Sequence, residues 1–350
     1  MSQSSTKAPE LDLDLYRDDV FRSGSGVAAN PITNRLGRDT TLFSDGTTHD
    51  TRRKVLMRSL GAKALGAIQG RVEGEAQALV ERLLGDGAFE AATDFSSHLP
   101  LTVVAELVGV RQDPQRLLHW AAATFDTLGP LNRRGLRAAR VSSSLLRYTR
   151  RLQAGRVAPG SWAASVFEAR DRGELTTAEA RALVIDFVAP ALDTTILAST
   201  HLLWVLARNP EAWQRIREDR ALIPRAVVEN VRLASPIRGF TRRLAADHVA
   251  GDVGLPAGAR VVLLFGAANL DETEFPNPER FDLDRPNKVQ LGWGNGPHTC
   301  VGIHLAKLEM QALLGAMAPV VRTVATGEPV RLRNNTLQGI AALPATLAVT

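Results

Sequence analysis

The sequence predicts a mostly α-helical fold with a small β part, an α+β class. Apolar residues recur at three- and four-residue steps from about Thr51 to Leu84, as they do on one face of a helix. After about Arg242, short β-type stretches are separated by Gly and Pro turns instead. The 350 residues are 45% hydrophobic and 23% charged, so the chain can bury a large core.

The first long helical pattern stops at Gly85-Asp86-Gly87. The longest predicted helix follows Thr176, a residue that suits a helix start, and runs to about Arg208, before Asn209-Pro210. Other helices are predicted over residues 101–110, 115–128, 136–154, 224–233 and 301–317. Strands are predicted over residues 242–252 and 260–266 and from residue 332 onward.

The charge balance is mildly basic, with 42 Lys and Arg residues against 37 Asp and Glu residues, a net charge of +5. These cations are spread along the chain, whereas a nucleic-acid binder more often clusters them on one element, so we predict no nucleic-acid partner. The first ten residues are polar, and the most apolar stretch, 182–198, is interrupted by Asp186 and Asp193. We therefore expect no membrane anchor and a cytoplasmic protein.

The chain contains one cysteine, Cys300. A single cysteine excludes an intrachain disulfide and a cysteine-rich zinc site, and it fits a reducing compartment. Three interpretations stay open for Cys300: an inert core thiol, a nucleophile with His298 as its base, or a single thiolate ligand.

Glycines, a proline and an aromatic residue surround this cysteine in the stretch from Trp293 to Gly302, and a predicted helix follows at once. A sulfur held at a helix N-terminus should have a lowered pKa, because the helix dipole favours the thiolate. Gly302 would let a large flat group approach the backbone closely. A thiolate presented in this way suits a soft metal, of which haem iron is one example.

The same stretch resembles the haem-binding loop of the cytochrome P450 superfamily, in which an aromatic residue precedes Gly-x-Gly-x-His/Arg-x-Cys-x-Gly. The resemblance covers about Ser23 to the C-terminus and implies the cytochrome P450 fold. It implies haem b (heme b, iron protoporphyrin IX) with Cys300 as axial iron ligand, His298 near a propionate, and O2 as co-substrate. Trp293 departs from the family pattern, which usually has Phe there.

A second motif is Glu229-Asn230-Val231-Arg232, whose Glu and Arg lie on one helical face and can pair. Such a pair is weak evidence alone, but it resembles the family's Glu-x-x-Arg helix. The resemblance places a third member in the segment Pro278-Glu279-Arg280-Phe281. It thus implies a buried charge network of Glu229, Arg232 and Arg280 that supports the cysteine loop.

A third motif, Asp193-Thr194, lies inside the longest predicted helix among apolar residues. It resembles the acid and alcohol pair of the family's oxygen-binding helix. The resemblance implies that Thr194 donates a hydrogen bond to the iron-bound oxygen and that Asp193 relays protons from solvent. Pro190-Ala191 stands where the family has Ala-Gly; the proline should kink the helix, because it removes one backbone hydrogen bond.

Three further cations resemble the family's propionate ligands. His49 and Arg53 are four residues apart on one helical face, and Arg242 follows the Glu-x-x-Arg helix in a predicted strand. Charge-assisted hydrogen bonds to two propionate carboxylates would be worth about 1.5–3 kcal/mol each.

Residues 124–132, 192–195 and 334–340 resemble soluble bacterial P450 enzymes that oxidise small aromatic acids by hydroxylation or O-demethylation. This resemblance makes Arg238 a candidate partner for a substrate carboxylate and Leu337 a candidate substrate contact; a surface or propionate-facing Arg238 is the alternative. Residues 1–40 are predicted to form a partly irregular N-terminal segment and residues 41–350 the haem-binding domain. The family's N-terminal region is longer, so we expect a shortened chain without the strands of the larger sheet before His49.

The leading hypothesis is thus a haem-thiolate monooxygenase acting on a small organic substrate. No Gly-x-Gly-x-x-Gly follows a predicted strand, so NAD(P)H would act through a ferredoxin and a ferredoxin reductase. These partners would dock on the basic face around the cysteine loop and the helix of Arg52, Lys54, Arg58 and Lys63; simple solvation of these cations is the alternative. A non-catalytic or degenerate haem-binding protein is the alternative, and a cysteine-nucleophile hydrolase is a third hypothesis.

Overall fold

Helices make up most of the computed structural model, which describes residues 19–286 and 289–349, so the predicted mostly α class is confirmed. The part of the N-terminal segment before residue 19 lies outside the described residues. The α-helices are α1 (Pro31–Gly37), α2 (Gly46–Leu60), α3 (Ala62–Gly66), α4 (Gln69–Asp86), α5 (Ala105–Val108), α6 (Pro114–Leu128), α7 (Arg133–Arg150), α8 (Trp162–Asp171), α9 (Thr177–Arg208), α10 (Pro210–Glu218), α11 (Ile223–Ala234), α12 (Phe265–Ala268) and α13 (Ile303–Met317).

Shorter elements connect these helices. The strands are β1 (Phe21–Arg22), β2 (Ala88–Glu90), β3 (Phe240–Leu244), β4 (His248–Ala250), β5 (Val253–Leu255), β6 (Arg260–Leu263), β7 (Thr323–Thr326), β8 (Val330–Arg331), β9 (Ile340–Ala342) and β10 (Pro344–Ala348). Wide π-helical turns cover Ala91–Ser96 and Pro100–Val104, and single 3₁₀ turns cover Ala154–Arg156, Arg220–Leu222 and Gly296–His298.

Helix α9 is the central element and is 32 residues long, about 48 Å at 1.5 Å per residue. It begins with a capping box: Thr176 Oγ1 accepts from the Glu179 N–H at 3.2 Å, and the Glu179 carboxylate accepts from the Thr176 N–H at 2.8 Å. The helix continues through Pro190. By length and hydropathy α9 could cross a membrane, but 67% of its apolar window is buried inside the fold, as in a core helix.

Two apolar clusters meet along α9. Its N-terminal half, including Leu183 and Phe187, packs with residues of α2, α6 and α8. Its C-terminal half, including Leu202 and Leu206, packs with residues of α4, α11 and α13. Because one helix contributes to both clusters, residues in its middle are held between them, and this is where Asp193 and Thr194 lie.

The sheets are small and antiparallel. One has the strand order β1-β3-β6, another β2-β10-β7, and two pairs join β4 with β5 and β8 with β9. Phe21 pairs with Leu244 and Arg22 with Arg243, so the expectation that no strand precedes His49 is wrong for these two residues. Strand β6 ends at Leu263, and the helix α12 replaces the strand predicted up to residue 266.

The described part of the N-terminal segment is tied to the helical body by asparagine side chains. Asn30 caps α1 and donates from Nδ2 to the carbonyls of Thr127 and Gly129, both at 2.8 Å. Asn34 donates to the carbonyl of Ala28 at 2.9 Å and accepts from the Ala28 N–H at 3.0 Å. These bonds hold α1 beside the end of α6.

Candidate active site

A large, mostly apolar cavity lies between α1, α2, α6, α7 and α9 and the loop that precedes α13. Its wall includes Cys300, together with Thr194 and Thr195 from α9. Four apolar side chains at the cavity wall are also exposed to solvent: Ile32, Leu36, Leu131 and Leu136. The route into the cavity is therefore bordered by hydrophobic surface.

The cysteine loop is held by its own backbone. The Cys300 N–H donates to the carbonyl of Trp293 at 2.8 Å, and the Thr299 N–H donates to the carbonyl of Gly296 at 3.0 Å. Helix α13 begins three residues after Cys300, with Gly302 as its N-cap. A Cβ added at Gly302 would lie 3.9 Å from the Cys300 sulfur, so glycine leaves the space beside the sulfur open.

The prediction of a lowered pKa for the Cys300 thiol is wrong. Burial raises its pKa, and this outweighs the lowering by the hydrogen bond from Gly302 and by the positive charge of Arg53. Burial of the thiol therefore outweighs the two neighbouring groups that favour the thiolate. A metal ion deprotonates a coordinating thiol outright, so binding of a metal would supply the charge that the helix end does not.

The structure brings the four predicted cationic residues to this cavity. His49, Arg53, Arg242 and His298 all contribute to its wall beside Cys300. The rings of His49 and His298 have centroids 4.2 Å apart, and Arg53 Nη1 donates to the carbonyl of Thr299 at 2.6 Å. One thiol and four basic side chains on one cavity form a donor set that fits an iron porphyrin with two carboxylates.

Asp45 is a site residue that the motifs did not single out. His298 Nε2 lies 3.8 Å from its Oδ1, and the N–H groups of Ser23 and Gly24 donate to its two oxygens at 2.7 and 3.0 Å. Burial raises the pKa of Asp45, but the His298 contact and these two N–H groups lower it more, so it falls below its ordinary value. Its position just before α2 is the one sequence signal that marks it.

The predicted buried charge network exists with a different third member. Arg232 donates two bonds to the Glu229 carboxylate at 2.9 and 2.8 Å, and both side chains are buried. The third guanidinium belongs to Arg285, whose Nε donates to Glu229 Oε1 at 2.9 Å. The expectation for Arg280 is wrong, because its side chain is exposed and only its carbonyl accepts, from Arg232 and Arg285.

The acid and alcohol of α9 differ in their surroundings. Thr194 lines the cavity, and its hydroxyl donates to the carbonyl of Pro190 at 2.8 Å. Asp193 is buried behind the wall, and its Oδ2 has no hydrogen-bond partner among the described residues. Burial, with a smaller effect of Asp126, raises the pKa of Asp193 to about 8, so this carboxyl is mainly protonated at neutral pH.

Neither predicted substrate contact lines the cavity, and the surface alternative for Arg238 is the one that agrees with the structure. Arg238 is exposed outside the cavity wall and donates from Nη2 to the carbonyl of Leu337 at 3.3 Å. Leu337 is buried in a cluster with Phe125 and Leu128, and these two residues line the cavity whereas Leu337 does not. Ile237 and Phe240, on either side of Arg238, line the cavity instead.

The predicted basic docking face is only partly free. Arg52 is buried: its guanidinium contacts Glu179 at 3.0 Å and donates to the carbonyls of Arg38 and Thr40, so it holds the loop before α2 against α9. Arg58 pairs with Glu174 at 2.5 Å. Lys54 and Lys63 are exposed. Arg52 and Arg53 are adjacent on one helix, but Arg52 faces Glu179 and Arg53 faces the cysteine loop. Their shared charge does not predict this difference.

Comparison with known proteins identifies the family of this chain. The family model described as Cytochrome P450 matches residues 161–318. The chain is 31% identical over 307 residues to cytochrome P450 CYP199A2 of Rhodopseudomonas palustris, covering 87% of this chain and 74% of that protein. It is 31% identical to cytochrome P450 107B1 of Saccharopolyspora erythraea, covering 87% and 76% of the two chains. The crystal structure of P450BioI superposes with a TM-score of 0.85 at 23% identity, covering 95% and 89% of the chains.

The chain belongs to the cytochrome P450 family. It is a cytochrome P450 monooxygenase, an oxidoreductase of the class that binds haem through a cysteine thiolate and uses O2. The superfamily resemblance seen in the sequence is thus confirmed, and the cysteine-nucleophile hydrolase hypothesis is wrong.

Proposed function

We propose that this chain inserts one oxygen atom from O2 into a small, largely apolar organic molecule, by hydroxylation or O-demethylation. The convergence of Cys300 and four basic side chains on one cavity that also exposes Thr194 carries the proposal. When bound, the haem supplies the activation of O2; the chain supplies its ligand, its anchors, a dry pocket and protons.

Cys300 would be the axial ligand, and His49, Arg53, Arg242 and His298 would hold the two propionates. Arg53 already donates to the carbonyl preceding Cys300, so it would link the sulfur loop to the propionate anchors. Asp45 would orient the His298 ring, because a carboxylate beside one ring nitrogen fixes the proton there. The network around Glu229 would stabilise the fold next to the cysteine loop without touching the substrate.

Thr194 and Asp193 would deliver protons into the cavity. A hydroxyl can accept one proton and donate another, so Thr194 can exchange its bond to the Pro190 carbonyl for a bond to a group in the cavity. Asp193 is a suitable reservoir behind it, because a carboxyl with a pKa of about 8 holds a proton at neutral pH and can release it.

The substrate would be apolar over most of its surface, as the hydrophobic cavity wall and mouth indicate. Ser142 adds one polar feature: its buried hydroxyl lines the cavity and has no partner among the described residues. A small aromatic acid would match the apolar wall and the Ser142 hydroxyl, with its ring packed against the wall and a carboxylate oxygen accepting a hydrogen bond from Ser142.

Electrons would come from NAD(P)H through a ferredoxin and its reductase, in the cytoplasm. Lys54 and Lys63 would contact the acidic surface of the ferredoxin, since they stay exposed while Arg52 and Arg58 are paired with carboxylates. The contact of Arg53 with the cysteine loop puts the middle of α2 next to this loop, which a protein that donates electrons must approach.

A non-catalytic haem-binding role is the second candidate, and Pro190-Ala191 is the observation that favours it. The Thr194 hydroxyl donates a hydrogen bond to the Pro190 carbonyl. If this hydrogen bond persists throughout, Thr194 takes no part in proton delivery. Turnover with a surrogate ferredoxin and reductase separates the two roles. Correct haem loading without any product from an aromatic-acid panel would favour the second.

The test of haem ligation is the absorption spectrum of the reduced protein with carbon monoxide. Thiolate-ligated haem gives a strongly red-shifted Soret band, so we expect this band in the wild type and its loss in Cys300→Ser. Thr299→Ala is the control, because it alters the same loop but keeps the sulfur and the carbonyl that Arg53 contacts. An unshifted Soret band in the wild type would show that Cys300 is not the ligand.

A further inference from the structure

A second concave site lies away from the central cavity, between the turn before α6, the outer side of α7 and the turn after it. Its wall is dominated by five arginines and one tyrosine: Arg111, Arg116, Arg147, Tyr148, Arg151 and Arg156. We call it the arginine pocket. All five arginines are exposed, and the arginine pocket shares no lining residue with the cavity that contains Cys300.

No carboxylate neutralises this cluster in the part of the chain that the structure describes. No aspartate or glutamate lines the arginine pocket, and none of its arginines forms an ion pair with residues 19–286 or 289–349. Three exposed arginines elsewhere on the surface, Arg71, Arg82 and Arg215, show the contrasting arrangement, because each has an acidic partner. Five like charges around one hollow repel one another, so an anion placed among them lowers the electrostatic energy.

The arginine pocket rests on a fixed aromatic base. Trp120 donates from its indole N–H to Ser144 Oγ at 2.6 Å, and its ring lies 5.3 Å from that of Tyr148. The Arg116 guanidinium stacks over the Trp120 ring at 4.8 Å. Below it, the Val110–Val157 bridge joins the two turns that carry Arg111 and Arg156. The arginines therefore project from a scaffold held by packing and hydrogen bonds.

We propose that the arginine pocket binds a small oligophosphate. Guanidinium groups bind phosphate oxygens in paired hydrogen bonds and keep their charge at all physiological pH values. A chain of two or three phosphates carries several charges at close spacing, which one hollow ringed by five guanidinium groups can contact at once. A free oligophosphate and a nucleotide share this chemistry.

The position of the arginine pocket gives such a ligand a defined place in the fold. Ser142, Leu145 and Leu146 of α7 line the central cavity, whereas Ser144, Arg147 and Tyr148 of the same helix line the arginine pocket. A ligand bound there would contact the outer side of the helix that encloses the substrate cavity. Binding itself needs neither haem nor substrate, so its test is independent of the proposed function.

The test is calorimetric titration of the full-length holoprotein at low ionic strength with inorganic tripolyphosphate and, separately, with ATP. The variant is Arg147→Gln/Arg151→Gln. The matched control is Arg137→Gln/Arg140→Gln, which removes two exposed arginines of α7 that lie outside the arginine pocket. We expect tripolyphosphate to bind wild type and control equally and the variant roughly tenfold or more weakly.

The arms of the experiment decide the ligand and the site. Equal affinity for tripolyphosphate and ATP assigns the arginine pocket to oligophosphates in general, and tighter binding of ATP assigns it to nucleotides; either result upholds the site. No binding to the wild type, or equal weakening in variant and control, overturns it. Tighter binding of a random single-stranded DNA through the same two arginines would also overturn it, in favour of a nucleic-acid surface. Far-UV circular dichroism checks that both variants fold.

Discussion

Replacing Arg285 by alanine should destabilise the protein, whereas replacing Arg280 should not. The two residues are five positions apart, and the motif around Phe281 points to Arg280, but the Arg285 side chain is 8% exposed and faces Glu229. Arg280 contributes only its carbonyl to the network, and alanine keeps that carbonyl. The pair of variants therefore tests the tertiary arrangement against the motif.

The magnitude follows from the bonds that Arg285 makes. Its guanidinium donates to Glu229 Oε1 at 2.9 Å and to the carbonyls of Pro276, Asn277 and Arg280 at 2.9, 3.2 and 3.1 Å. Breaking a buried charge pair costs about 3–5 kcal/mol, and Glu229 keeps Arg232, so we expect the lower end, about 3 kcal/mol. Arg280→Ala should change the free energy of unfolding by at most about 0.5 kcal/mol.

The measurement is urea unfolding of the haem-loaded protein, followed by far-UV circular dichroism for wild type, Arg285→Ala, Arg285→Lys and Arg280→Ala. Lysine keeps the charge but cannot span Glu229 and the carbonyls together, so Arg285→Lys should fall between wild type and Arg285→Ala. Equal destabilisation by Arg280→Ala and Arg285→Ala would refute the arrangement described for Glu229.

Two further predictions concern the cavity and the helix behind it. Burial raises the pKa of Asp193 to about 8. The protonated carboxyl therefore contributes its full stability below the ordinary pKa of an aspartate, and this contribution is lost as the pH rises through the pKa of the folded state. Relative to the wild type, the free energy of unfolding of Asp193→Asn should therefore increase with pH, by up to about 1.4 kcal/mol per pH unit until about pH 8. Urea unfolding at a series of pH values measures this, and a difference that is constant with pH would contradict the buried, protonated carboxyl. Ser142→Ala should weaken binding of a para-methoxybenzoate about 12- to 160-fold, the value of one hydrogen bond to a charged group, without changing the binding of methoxybenzene, in titrations of the haem spectrum. Ser143→Ala is the control, because the Ser143 hydroxyl already donates to the Arg140 carbonyl at 2.7 Å; equal effects of both variants would exclude Ser142 as the contact.

Local patterns account for what was predicted correctly. The start of α9 at the Thr176–Glu179 capping box and its end before Pro210 depend on neighbouring residues only. The Glu229–Arg232 pair also follows from spacing, since residues three apart meet on one helical face. The loop of Cys300 is defined by ten consecutive residues, so its resemblance to the family needed no tertiary information.

The errors arise where a residue's environment is set by distant segments. The sequence places Cys300 before a helix, but it does not show the apolar wall that raises the pKa of the thiol. Arg52 and Arg53 carry the same charge in the sequence, yet Arg52 is buried in an ion pair with Glu179, which is 127 positions away. Arg238 has neighbours on both sides that line the cavity, and the direction of its own side chain excludes it.

The sequence by itself determined the family, the helical class and the one thiol that can bind iron, because each is encoded in short contiguous patterns. The tertiary structure alone decided which arginine completes the charge network and which side chains reach the cavity. It also gathered five arginines, spread from Arg111 to Arg156, around one hollow, although they look evenly distributed along the chain. The physical reason is the same in each case: charge and burial act through space, and chain folding sets those distances.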